Sequence, residues 1–152
     1  MSIFTQIGDI VVDTSVPASG ANCIDVTVVG TVTYAALTQL KGNPVGTHIY
    51  KYDSNDANGW VLEHTYSVVG SSIAISKDAN TVVISNNTLE RNTTYKWEGR
   101  VCIFERESGG GWPSTPTKTY YGDGYQTMFG SRLRLSDDGQ VLVVSGRVYA
   151  AT

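Results

Sequence analysis

Asp53, Asn55, Asp56 and Asn58 crowd the turn before Gly59-Trp60, and an oxygen-rich turn of this kind can hold a calcium ion. The spacing D-x-N-D-x-N-G does not follow an EF-hand loop, and Asn, Asp and Gly are what a tight hairpin turn wants in any case. These residues are therefore read as a turn, and no metal is expected. Asp123 in Tyr121-Gly-Asp-Gly-Tyr125 and the pair Asp137-Asp138 read the same way. His48 and His64 lie on predicted strands with no Cys, His or carboxylate at ligand spacing, which leaves a zinc site without its ligands. A Ser-His-Asp triad can be assembled on paper, but no G-x-S-x-G elbow or glycine-rich phosphate loop supports hydrolysis or nucleotide binding. No pair of carboxylates is marked by its surroundings as general acid and base. The expectation is a chain with no catalytic residues and no cofactor.

Contact chemistry is better represented. Tyr120, Tyr121 and Tyr125 cluster with Met128 and Phe129, and tyrosines make good contact surface because they are large, stiff and half polar. The plainer reading packs Phe129 inside the fold and leaves the tyrosines at an ordinary surface. The segment from Asn86 to Trp97 is a second candidate for contact; its N-x-T sequons at Asn86 and Asn92 matter only in a secreted chain. Cys23 and Cys102 are flanked by strand residues, Ile24 and Val26 in one case and Val101 and Ile103 in the other. They read as buried free thiols, with a disulfide between them as the alternative.

The elements that position these residues are written twice. Gly70 to Ser85 reads GSSIAISKDANTVVIS and Gly130 to Ser145 reads GSRLRLSDDGQVLVVS. Each is a small residue, an alternating strand, a polar turn and a β-branched strand, hence one hairpin used twice. A second similarity joins Gly99-Arg-Val-Cys-Ile-Phe through Trp112 to the stretch Ile49-Tyr-Lys-Tyr through Trp60. Aligned on the tryptophans, Val101, Cys102 and Phe104 fall on Ile49, Tyr50 and Tyr52. Self-similarity at roughly fifty to sixty residues marks a repeat architecture.

The order of these pieces resembles the FG-GAP-like, integrin-type β-propeller repeat. Phe129-Gly130-Ser131 with Ser136-Asp137-Asp138-Gly139 carries the resemblance best, followed by Gly99 to Phe104 with Trp112. It covers most of residues 46 to 146 and implies blades of four antiparallel strands. Family members that bind calcium use a D-x-D-x-D-G loop, which is not found here, so metal binding does not come with the resemblance.

A chain of 152 residues is one domain's worth and buries about 70% of its unfolded surface at that size. With 41% hydrophobic and 16% charged residues, sixteen glycines and nine tyrosines, it reads as folded and β-rich; no helix-period pattern is sustained. A net charge of −3 argues against a nucleic-acid partner. No run of apolar residues is long enough for a membrane helix, and the first ten residues do not form a signal peptide. The expected fold is all-β, a single domain over 1–152 of antiparallel β-propeller-like repeats. About three four-stranded blades fall at about 21–68, 69–121 and 129–152, and an N-terminal strand at 3–12 completes the last. Three blades are too few to close a ring.

That shortfall, together with one substitution pattern, directs attention to a partner. Ser72 and Ala74 alternate with Ile73 and Ile75 in one hairpin, whereas Arg132 and Arg134 take their places in the other. Two arginines on one strand face are not buried without partners, so this face meets either water or another chain. The candidate interface residues are accordingly Arg132, Arg134, Tyr121 and Tyr125. The leading expectation is a structural subunit that contacts other protein subunits, its own copies or capsid and fibre proteins. Short chains of such repeats resemble virion proteins of phages or large DNA viruses, which implies a capsid, decoration or fibre component assembled in the host cytoplasm. The alternative is a lectin-like or receptor-binding adhesive propeller that takes a glycan or receptor on its tyrosine-bearing rim as a homo-oligomer.

Overall fold

The computed structural model describes residues 21–39, 45–52, 59–90 and 96–147. Among them are ten strands, no helix, and three antiparallel sheets. The first sheet takes β1 (Ala21–Val29), β2 (Val32–Gln39), β3 (Gly46–Tyr52) and β4 (Trp60–Tyr66) in order. The second takes β5 (Ser72–Ile75), β6 (Thr81–Asn86), β7 (Arg100–Glu105) and β8 (Lys118–Tyr121), and the third pairs β9 (Arg132–Leu135) with β10 (Leu142–Ser145). Among the described residues the sheets are open and form no closed propeller. The third shows two strands among the described residues where four were expected, and the expected strand at 3–12 lies outside those residues, as does the Asp53, Asn55, Asp56, Asn58 turn.

The sheets pack face to face through β5, whose alternation sends Ile73 and Ile75 into one apolar layer and Ala74 into the other. In the first layer Ala36, Ile49 and Tyr66 meet Val82, Ile84, Cys102 and Phe104, with the Tyr66 and Phe104 rings 3.9 Å apart. In the second layer Val83 and Val101 meet Leu133. Covered on both faces, β6 has no use for alternation, which explains its unbroken Val82-Val83-Ile84. Polar ties reinforce the layers. The Asp25 carboxylate accepts the N–H of Ile75 at 2.9 Å, and the hydroxyls of Thr27 and Ser85 donate to the carbonyls of Lys77 and Gly130. With Cys23, Asp25 and Thr27 turned to the second sheet, Ile24, Val26 and Val28 face outward and are exposed.

The two copies of the hairpin close with the same serine–aspartate turn. The Ser76 hydroxyl donates to Asp78 at 2.6 Å, and that same carboxylate oxygen accepts the N–H of Asn80; Ser136, Asp138 and Gln140 repeat this at the same distances. The residue after the aspartate is left-handed in both, at φ 54° for Ala79 and 70° for Gly139. These bonds, led by the serine hydroxyl, hold both carboxyls below the usual aspartate range. A depressed folded-state value stabilises the fold above the unfolded-state value, and the contribution is lost as pH falls through the folded one. Asp78→Ala is expected to cost about 1 kcal/mol at neutral pH. Denaturant titrations should show this difference shrinking below roughly pH 4.

Candidate interaction surface

Arg132 and Arg134 lie side by side on the outer face of β9 and are exposed. Their cross-strand partners are Ser145 and Val143, and Val143 is 64% exposed. The opposite face of the same hairpin, carrying Leu133, Leu135, Leu142 and Val144, packs on the second sheet. The arginines therefore occupy the positions that in β5 belong to Ser72 and Ala74, and Ala74 is buried beneath the third sheet.

The tyrosines belong to a different place. Tyr121 ends β8, opposite Arg100, and Tyr125 follows in the loop, 54% exposed. That loop is locked to the residues before β7: the N–H groups of Gln126, Met128 and Phe129 donate to the carbonyls of Lys96, Trp97 and Glu98. Trp97, Gln126 and Met128 are all left-handed, at φ 50°, 57° and 44°, and Trp97 is exposed beside them. Phe129 is partly buried against the layer between the second and third sheets.

The two cysteines are free, Cys102 buried and Cys23 half-buried. Burial pushes both thiols up, so neither is a ready nucleophile at neutral pH. His48 is buried with Nδ1 3.1 Å from the Thr65 hydroxyl, and His64 lies against the Tyr66 ring. Among the described residues no group of three His, Cys, Asp or Glu side chains is placed to hold a metal ion. No helix of these residues is long and apolar enough to cross a membrane.

One polar cluster has no counterpart in the sequence reading. The Arg106 guanidinium donates to Glu63 at 2.7 Å and to the carbonyls of Ala79 and Gly110, and lies 4.3 Å from the centre of the Trp112 ring. Trp112 Nε1 donates to the same Glu63 oxygen at 3.2 Å. Glu63 reaches the second sheet because β4 is irregular there: Leu62 pairs with Tyr50 and His64 with Ile49, leaving Glu63 as the extra residue. The only local hint was a basic residue one step past an apolar strand. The cluster is a clamp between the first and second sheets.

Comparison with models of protein families, with curated proteins and with solved structures yields no match to this chain. Function therefore rests on the surfaces themselves. Among the described residues, the residues predicted from sequence to make contacts fall on the arginine face of the third sheet and in the aromatic loops beside β8.

Proposed function

We propose that the chain is a non-enzymatic structural subunit of a protein assembly, its sheets acting as successive blades of a propeller-like array, and that copies associate through the outer face of the third sheet. The observation that carries this reading is the open end of the stack. Arg132, Arg134 and the exposed Val143 form a face whose counterpart one sheet earlier is covered. Arginine over apolar surface is typical of interface composition, and the arginine stems cover apolar neighbours while their heads stay polar. Ile24, Val26 and Val28 on β1 leave a second exposed apolar stripe, and Val26 and Val28 line one open cleft with Arg134, so the stripe borders the arginine face. The resemblance to FG-GAP-like repeats favours a virion as the setting, with the chain as a capsid, decoration or fibre component.

The test is charge reversal. Arg132→Glu with Arg134→Glu touches exposed side chains only, so stability should move by no more than about 0.5 kcal/mol. Sedimentation should show association in the unaltered chain and its loss in the double variant. A chain that sediments as a monomer at every concentration, or a variant that associates as before, contradicts the reading.

A second reading is favoured by the exposed Trp97, Tyr121 and Tyr125 around the left-handed loop, since strained backbone tends to collect at binding sites. It makes this rim a glycan or receptor site. A specific signal on a glycan array, abolished by Tyr121→Ala and Tyr125→Ala, would favour it over the structural reading; an empty array would remove it.

A further inference from the structure

The hairpin β9–β10 copies β5–β6 in sequence, turn bonding and register, yet the two have different neighbours. β6 is paired along its outer side by β7, from Thr81 opposite Glu105 to Asn86 opposite Arg100. β10 is paired with β9, and among the described residues no strand lies along its other edge. Beside that edge is an open cleft of about 420 Å³ between β10 and the strands β7 and β8. Its floor is Val83, Ile103, Phe129, Leu135, Leu142 and Val144, which all belong to the layer between the second and third sheets. Among the described residues the cleft is thus an uncovered continuation of the layer between the second and third sheets. Glu105, Lys118 and the half-exposed Tyr120 form its rim.

Among the described residues the edge carries no guard of its own. Exposed edge strands are normally blunted by lysine, proline or a bulge. β10 reads Leu-Val-Val-Ser after an exposed Val141 and pairs in unbroken register. β8, by comparison, carries Lys118 and follows Pro113 and Pro116.

We propose, resting on the reading of the chain as an assembly subunit, that β10 and the adjoining cleft are a docking seat for one extended strand of another protein chain with the chemistry of β7. Main-chain bonds to β10 supply the affinity and alternate side chains supply the selectivity. The internal copy gives the register: Phe104 stands opposite Val82 and Cys102 opposite Ile84, and the counterparts of Val82 and Ile84 are Leu142 and Val144. A docked strand therefore places its phenylalanine opposite Leu142, over the cleft floor.

The probe is a labelled synthetic peptide, Gly-Arg-Val-Val-Ile-Phe-Glu, which is the Gly99 to Glu105 sequence with Val in place of Cys102. Saturable binding to the full chain is expected, with hydrogen exchange slowed at the β10 amides. A peptide with Asp in place of its phenylalanine should bind at least about tenfold more weakly, because an unpaired carboxylate on an apolar floor is costly. Tyr120→Ala in the protein, a change at an exposed position, should weaken binding several-fold. Absence of binding, equal binding of the Asp peptide, or unchanged exchange at β10 overturns the proposal; a seat held by a second copy or by other residues of this chain gives the first of these results. Sedimentation reads the arginine face separately, so failure of the docking seat leaves that reading standing and the two failures are distinguishable.

Discussion

Arg106→Ala is expected to cost about 3 kcal/mol, a large part of the stability of a domain this size. The side chains of Arg106 and Glu63 are 13% and 23% exposed, although the Glu63 backbone stands out at the β4 irregularity, so removing the guanidinium strips a partly covered carboxylate of its charged partner. Two carbonyls, of Ala79 and Gly110, lose charged donors at the same time, and the faces of Trp112 and Tyr34 lose the cation stacked near them. Because Glu63 and Tyr34 belong to the first sheet while Arg106 and Trp112 belong to the second, the loss falls on the joint between sheets. Arg106→Lys keeps the charge but not the planar fork, and is expected to recover less than about half of the loss. A double-mutant cycle with Glu63→Gln, read by chemical denaturation, should show coupling well above that of an exposed pair. Additive effects would mean that the clamp is ornamental.

Gly99→Ala is the second large effect. Gly99 is left-handed at φ 81°, and a methyl group there would overlap the backbone carbonyl of Phe129. The neighbour is main chain that is itself fixed by the bond from Phe129 N–H to the Glu98 carbonyl, so it has little freedom to withdraw. Strain and overlap together should exceed about 4 kcal/mol and leave little folded protein. Gly109→Ala is the control, since nothing lies within 4 Å of the added carbon. Its midpoint should stay within about 0.5 kcal/mol of the unaltered chain. Equal behaviour of the two variants in thermal unfolding would contradict the tight crossing at Gly99.

Local chemistry was legible in the sequence, and chemistry that depends on distant partners was not. The all-β, antiparallel character could be read from alternation and turn residues. So could the repeated hairpin, because the serine and aspartate that close each turn lie within three residues of one another. Replacement of Ser72 and Ala74 by Arg132 and Arg134 also marked, from sequence alone, a face that the structure leaves exposed. The Arg106 clamp was illegible because its partner Glu63 is 43 residues away and reaches it through a β4 irregularity that has no sequence signal. Glu98, buried completely at the loop crossing, was missed for the same reason. The left-handed Trp97, Gln126 and Met128 defeat propensity outright, since none of these residue types announces such a conformation. Nor did the turn-rich stretch after β8 indicate that its backbone is pinned to the residues before β7.

The account turns on whether the outer face of the third sheet is a seam between copies. Hydrogen exchange of the full chain at low and high protein concentration addresses this directly, strand by strand. The account predicts that protection of Arg132–Leu135 and Leu142–Ser145 rises with concentration, while β6 and β7 in the middle of the stack stay unchanged and the rise disappears when Arg132 and Arg134 are both glutamate. Exchange at β9 and β10 that is independent of concentration, with the chain monomeric throughout, would contradict it.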